Sequence, residues 1–391
     1  MIRTMTLRSF LQRLIQRPSA RHARIAAAAA YAKDPDYQSR LAHEIANFRD
    51  DINVHDLPQI FHYWSHNYVR PLLEEVGVSN PDQFFAKYLH ESAQASGGAP
   101  ALFASVGAGN CDTEIRVAKL LLERGLADFR IECLDINAAM LERGRAAAQA
   151  EGVAAHVIPV AMDFNHWKPE SNYHGIMANQ SLHHVVELEA LFDTVLTALA
   201  PNARFVISDM IGRNGHMRWP EALERVNAFW QELPESHRYN RQLQRLELQF
   251  ENWDCSFESF EGIRAQDIMP LLVERFSFEV FIGFGNVVDV FVDRSFGHNF
   301  DAEGAWDRDF VDRLHACDEQ GFAQGTLTPT HAMAVMTADR SAVPYALAAS
   351  RRNARSVGRT DPDRPQWPTA GSVSTRRMRM AFSSRTLRSS I

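Results

Sequence analysis

Three observations predict a doubly wound α/β fold. From Ala101 onward, short apolar runs alternate with amphipathic helical stretches. The first run, LFASV, breaks into two glycines one residue apart, Gly107 and Gly109. The second and third runs each end in an acid, Asp135 and Asp163. Strand and helix alternating at this spacing give parallel strands joined by right-handed crossovers, with helices on both faces of the sheet.

The elements follow in chain order. Residues 1–33 form a basic leading segment. Its first 24 residues hold six arginines and no acid, and Leu7, Phe10, Leu11, Leu14 and Ile15 recur at helical spacing. An Arg-rich, acid-poor stretch of this kind is also similar to an organelle transit peptide. We read it as a loose basic helix at the start of a cytoplasmic protein. Residues 34–99 are helical and dotted with aromatics such as Phe61, Tyr63, Trp64, Phe84 and Phe85, with breaks at Pro71 and Asn80-Pro81. Such short amphipathic helices suit a cap.

The main domain is expected over residues 100–336. Strands are expected at 101–106, 129–136, 156–162, 174–179 and 204–209. Helices are expected at 112–124, 138–150 and 187–199, closed by Gly125, Gly152 and Pro201. A long insert, about 212–275, carries Trp219, Phe229, Trp230, Tyr239, Phe250, Trp253, Phe257 and Phe260. Most of these should form the core of a small helical subdomain, and a few should wall an acceptor pocket. Apolar, strand-like stretches return at 276–284, 287–292 and 331–336, around a helix near 306–317. Residues 337–391 hold eleven arginines against three aspartates, with turn-prone pieces and little hydrophobic periodicity, and are expected to be disordered. No internal repeat is visible.

The bulk numbers exclude several classes. The chain of 391 residues is 46% hydrophobic and 23% charged, ordinary for a globular enzyme. No run approaches eighteen apolar residues, so integral membrane association is not expected. The net charge of −7 hides two basic ends and leaves about −21 on residues 25–336, which argues against nucleic acid as a partner of the body. Cys111, Cys133, Cys255 and Cys317 stand far apart with no CxxC pair, as expected for free thiols in a reducing compartment.

In an open α/β sheet the ligand sits beyond the carboxyl ends of the strands. Gly107 and Gly109 allow a tight turn there and let a ligand approach the backbone. A dinucleotide fingerprint would place its third glycine at position 112, where this chain has Asp112. A carboxylate there makes a helix N-cap, and it sits better beside an ammonium or sulfonium than beside a pyrophosphate. Asp135 ends the second strand 26 residues after Gly109, placed to accept ribose hydroxyls from either kind of cofactor. Asp163, in VAMDF, is placed to take an adenine amino group, and the Asn179-Gln180-Ser181-Leu182-His183-His184 stretch follows the fourth strand.

With these residues the sequence resembles the class I S-adenosylmethionine-dependent methyltransferases. SVGAGNCDTE is similar to their first motif, CLDI to their ribose-binding acid, AMDF to their adenine-contacting acid, and IMANQSLHHV to their fourth-strand motif, closest to a small-molecule type 11/12 branch. The resemblance covers roughly residues 100–210. It implies a Rossmann-like seven-stranded methyltransferase sheet whose sixth and seventh strands are antiparallel, and S-adenosyl-L-methionine as co-substrate. It implies a cofactor site of Val106, Gly107, Ala108, Gly109, Asp112, Asp135, Ile136, Met162, Asp163 and Asn179. The chain departs from the pattern at Ser105, where the family carries an acid, and at Cys111, where it carries a glycine. Asp112 or Glu114 could supply the missing carboxylate.

Methyl transfer requires alignment of the acceptor and removal of its proton. His183 and His184 after the fourth strand, and Asp209 ending the fifth, are the candidate bases. No metal site is expected, since Asp289, Asp293 and His298 match no familiar ligand spacing. The amino-methylating clamp (N/D)PP(Y/F) is absent where this chain has Ala178-Asn179-Gln180-Ser181, so a small-molecule acceptor, at oxygen before nitrogen, is expected. Two other functions stay open: a non-catalytic S-adenosylmethionine-binding regulator, and an NAD(P)-dependent oxidoreductase.

Overall fold

Asparagines and a left-handed residue start the three helices on one face of the sheet. A computed structural model describes residues 37–47, 57–98, 100–164, 167–257 and 259–339. The basic leading segment up to residue 36 and the tail from residue 340 lie outside the described residues. Helix α1 spans Tyr37–Asn47, α2 spans Gln59–Trp64, and a π-turn segment, Ser65–Val69, carries α2 into α3, Arg70–Glu74. Helix α4, Pro81–Ala95, is capped by the Asn80 side chain, which accepts from Gln83 N at 2.9 Å, with Pro81 in the first turn.

Strands β1 (Ala101–Val106), β2 (Phe129–Asp135), β3 (Val157–Ala161), β4 (Tyr173–Asn179) and β5 (Leu199–Met210) alternate with α5 (Asp112–Glu123), α6 (Ala138–Ala150) and α7 (Leu188–Ala198). Between β5 and the later strands come α8 (Pro220–Glu232), a short hairpin of β6 (Tyr239–Asn240) and β7 (Arg245–Leu246), and α9 (Ala265–Arg275). Strand β8 (Ser277–Phe284), α10 (Val287–Val292), α11 (Ala305–Gln324) and β9 (His331–Thr337) complete the described chain.

Seven strands make one sheet in the order β3-β2-β1-β4-β5-β9-β8. The first five are parallel. Only β9 is inverted: it pairs antiparallel with β5 on one side and β8 on the other, so β8 runs in the direction of the parallel set. The expectation of two antiparallel strands is corrected to one. Register levels the strand ends, with Val106 opposite Leu134 and Ala178, and Asn179 opposite Ser208.

Each face of the sheet has its own core. On one face α7 and α9 pack Leu188, Leu191, Phe192, Ile268 and Leu272 against Ile176, Phe205 and Ile207. On the other, α4, α5 and α6 pack Phe85, Leu89, Val117, Leu121 and Leu141 against Phe103, Ile131 and Met177. Helix α4 therefore covers the sheet itself, and Ser92 pins it there: its hydroxyl donates to His174 O at 2.6 Å and accepts from Arg204 N at 2.8 Å. A third core joins α2 with α8, α10 and α11 through Ile60, Trp64, Trp230, Phe291 and Phe310. Phe229 and Trp230 of the insert are buried there, whereas Trp253 and Phe257 are exposed.

Residues 287–292, strand-like in sequence, form α10 instead. VVDVFV is buried on every side, so its periodicity carries no signal. Its conformation is set from a distance: the buried Asp318 carboxylate on α11 accepts from Val287 N at 2.9 Å and Val288 N at 3.1 Å, satisfying the first amides of the helix. Among the described residues no helix is long and apolar enough to cross a membrane. The four cysteines are free thiols.

Candidate active site

Crossovers leave β1 and β4 in opposite directions, so the carboxyl edge between them is the switch point where open sheets bind ligands. The chain after β1 turns through left-handed backbone at Gly107 (φ 70°), Gly109 (φ 54°) and Cys111 (φ 58°) and enters α5. Cys111 occupies the capping position, which corrects the expectation for Asp112: its carboxylate is the first residue inside the helix, favourable to the helix dipole without capping it.

Asp135 braces this turn from the end of β2. Its Oδ2 accepts from Gly109 N at 2.8 Å and its Oδ1 from Asn137 N at 2.8 Å. Burial pushes its pKa above the usual carboxylate value, and these amides oppose the rise. Across the switch point, Ser181 donates its hydroxyl to Val106 O at 2.6 Å, and Asn179 donates to Thr113 Oγ1 at 3.1 Å. Gly107, Ala108, Gly109, Asp112, Asp135, Ile136 and Asn179 all line one cleft of about 1670 Å³. That exceeds the ordinary range for one ligand pocket, roughly 300–1,000 Å³, and leaves room for two bound molecules.

Three residues of the expected set stand apart from the lining. Val106 is fully buried in β1. Met162 is held by its backbone N–H, which donates to Asp135 O at 2.9 Å. Asp163 accepts from the hydroxyl of Tyr37 at 3.1 Å. That contact draws α1 toward the end of β3, and Arg40 extends it to the insert by donating to Ser256 O and Ser259 O.

The departure at Ser105 has a local compensation. Glu114, in the first turn of α5, is 2% exposed and accepts from the Ser105 hydroxyl at 2.6 Å, so the carboxylate lies beside the strand position where the resemblance expects one. It also lines the cleft. Burial lifts its pKa from 4.5 to about 7, partly offset by the Ser105 hydrogen bond. A carboxyl whose pKa is higher folded than unfolded contributes stability fully below 4.5 and loses it as pH rises through about 7. The ligand-free protein should therefore lose up to about 3 kcal/mol from this group between pH 4.5 and 8. Urea unfolding at pH 5 and pH 8 should show that Glu114→Gln removes this share of the slope; identical slopes in both proteins would refute the burial argument.

At the far end of the same edge five side chains converge. His183 Nδ1 lies 2.6 Å from Asp209 Oδ1. Asp209 is 0% exposed, and it also accepts from Met210 N on Oδ1 and from Ser181 N and Leu182 N on Oδ2. It stands behind His183 and does not line the cleft, which corrects its expected direction. Glu261 of the insert faces the other side of the histidines: its Oε1 lies 2.5 Å from His216 Nε2 and 3.4 Å from His183 Nε2, and its Oε2 lies 3.4 Å from His184 Nε2. Burial would lower the His183 pKa, but Asp209 and Glu261 hold it at about 10. Burial would raise Glu261, and the three imidazoles instead hold it well below its usual value.

Two local structures place these newcomers. His216 follows Gly215, both with positive φ (54° and 60°), in a turn where a Cβ on residue 215 would lie 1.8 Å from Asp254 Oδ1. A non-glycine residue held in this region is a common mark of a functional site. Glu261 precedes Arg264, which is 2% exposed and grips Glu189 through two hydrogen bonds of 2.6 and 2.7 Å, together with Val186 O and Asp267. Phe250, Trp253 and Phe260 of the insert line the cleft beside these groups, as does His331 stacked on Phe284.

Residues 104–202 match the family model described as "Methyltransferase domain". The chain carries a methyltransferase domain over these residues. Among solved structures it is similar to a geranyl diphosphate C-methyltransferase from Streptomyces coelicolor A3(2), solved with Mg2+, geranyl-S-thiolodiphosphate and S-adenosyl-L-homocysteine: 12% identity over 65% of this chain and 75% of that one, TM-score 0.36. It is also similar to an S-adenosylmethionine-dependent methyltransferase from Clostridium acetobutylicum ATCC 824 (13% identity, 39% and 63% coverage, TM-score 0.28). The [4+2]-cyclase SpnF is another such structure (15%, 74% and 97%, TM-score 0.36). No curated protein matches the chain in sequence. The methyltransferase domain takes in the glycine turn, Asp135, Asp163 and the His183-His184 pair, whereas His216 and Glu261 lie beyond it.

Proposed function

We propose that the protein is an S-adenosylmethionine-dependent methyltransferase acting on a small-molecule acceptor, at oxygen rather than nitrogen. The observation that carries this reading is Asp135 hydrogen-bonded to Gly109 N at the cleft wall, in a turn whose other charged residues, Asp112 and Glu114, are also acids. Backbone amides and three carboxyls suit a ribose and a cationic amino-acid end; they repel a pyrophosphate. The fit extends to the glycine turn, where a side chain at Gly107 would overlap Ser181 and one at Gly109 would press on Met140.

When bound, S-adenosylmethionine supplies an electrophilic methyl group. The chain's own groups do the rest. Asp135 holds hydroxyls, the turn amides orient the ligand, and Glu114 with Asp112 favours an ammonium. Phe250 and Phe260 exclude water from the acceptor end. A hydroxyl must lose its proton to become a strong nucleophile, and the imidazoles of His184 and His216 line that wall as candidate proton acceptors.

Calorimetric titration with S-adenosylmethionine and, separately, NADH tests the reading: binding of the first alone is expected. Asp135→Ala should weaken it by about 1.5 to 3 kcal/mol, the scale of hydrogen bonds to a charged group. Unchanged affinity in a folded variant would remove Asp135 from the site. Methyl transfer to a panel of hydroxylated and aminated acceptors, followed by S-adenosylhomocysteine release, then tests the preference for oxygen.

A further inference from the structure

We propose that His183, His216 and Glu261 form a mononuclear site for a divalent transition-metal ion, which holds the oxygen of the acceptor. One ligand atom from each residue lies within 4.8 Å of the others, and the nitrogens that face the Glu261 carboxylate are His183 Nε2 and His216 Nε2. Neighbouring ligands around a metal with bonds of about 2.1 Å stand roughly 3 Å apart. The separations from Glu261, 2.5 Å to His216 and 3.4 Å to His183, straddle that value, and His184 Nε2 at 3.4 Å from the second oxygen is a candidate fourth ligand.

The surrounding hydrogen bonds point the same way. Asp209, pinned by three backbone amides, takes the Nδ1 proton of His183. With Nδ1 taken by Asp209, Nε2 is the nitrogen aimed at Glu261, where a metal ion would replace the Nε2 proton. A carboxylate behind a ligating histidine is also the usual means of fixing its tautomer and direction. Arg264 and the strained Gly215-His216 turn fix the other two ligands, so the triad is held by three separate elements of the fold.

The donor set selects the ion. Two imidazoles and one carboxylate with open positions suit Fe2+, Mn2+, Co2+ or Zn2+ rather than Mg2+ or Ca2+, which prefer all-oxygen shells. The three residues line the cleft, so the open positions face it. The role for the ion rests on the methyltransferase reading; the ion's binding does not. A hydroxyl on the metal releases its proton to solvent, its oxygen forms the new O–C bond, and the C–S bond breaks with its electron pair left on sulfur.

The test uses the full chain, stripped with a chelator and titrated with Co2+. One equivalent should bind and give visible d–d absorption. His216→Ala and the near-isosteric Glu261→Gln should each weaken binding at least 100-fold, and Asp209→Asn, which acts through His183, about tenfold to 100-fold. S-adenosylmethionine affinity, measured on the same metal-free samples, should change less than threefold in His216→Ala and Glu261→Gln. No cobalt binding, or equal binding in wild type and Glu261→Gln, overturns the metal site while S-adenosylmethionine binding leaves the methyltransferase reading standing. Cobalt binding by a protein that ignores S-adenosylmethionine does the reverse.

Discussion

Gly107→Ala is expected to destabilise the protein by about 3 kcal/mol and to weaken S-adenosylmethionine binding at least tenfold. Two separate effects combine. The residue sits at φ 70°, where an L side chain costs about 1–2 kcal/mol. Its new Cβ would also lie 2.4 Å from the Cβ of Ser181, far inside contact distance. Ser181 has nowhere to go: it is 5% exposed, its hydroxyl donates to Val106 O, and its amide donates to Asp209. The glycine turn must move instead, carrying Gly109 N away from Asp135. Denaturant unfolding and calorimetry measure the two losses. Ser181→Gly in the same chain gives back the space but not the backbone strain, so the double variant should recover part of the binding and only part of the stability. A single variant that unfolds and binds like wild type would show that Ser181 does not press on the turn.

What the sequence could reveal about this site follows the range of the interactions that build it. The glycine turn, Asp135 and the succession of the five parallel strands along the chain are local matters of periodicity, turn residues and strand ends, and they were legible. Glu114 was legible only as an alternative, because its answer to Ser105 depends on one helical turn folding back beside β1. Glu261 gave no signal at all: it lies in an insert rich in aromatics, and Arg264, clasped by Glu189 from α7, is what brings it to the histidines. His216 was visible only as part of a polar loop, since its left-handed backbone follows Gly215, whose close approach to Asp254 leaves no room for a side chain. The same distance dependence explains α10, whose helical start is fixed by an aspartate 31 residues away.

Asp209→Ala should cost more than any other substitution at this edge, about 3–5 kcal/mol, the range for breaking a buried charged pair. The carboxylate is fully buried and serves four donors: three backbone amides and the imidazole of His183. Removing it leaves all four without an acceptor, each worth roughly 1–3 kcal/mol when buried, with local relaxation recovering part of the sum. Asp209→Asn keeps the shape and one acceptor oxygen, so its loss should be smaller, and its pH dependence is diagnostic. His183 is held at about 10 against an ordinary 6.5, despite burial that works the other way. A raised imidazole pKa contributes stability fully below 6.5 that is lost as pH rises through the folded value. The gap between wild type and Asp209→Asn should therefore be widest below pH 6.5 and narrow toward pH 10. Urea unfolding at pH 6, 8 and 9.5 follows it directly. A constant gap would assign Asp209 to the backbone amides alone, and a loss under about 1 kcal/mol in Asp209→Ala would mean that these donors find other partners without it.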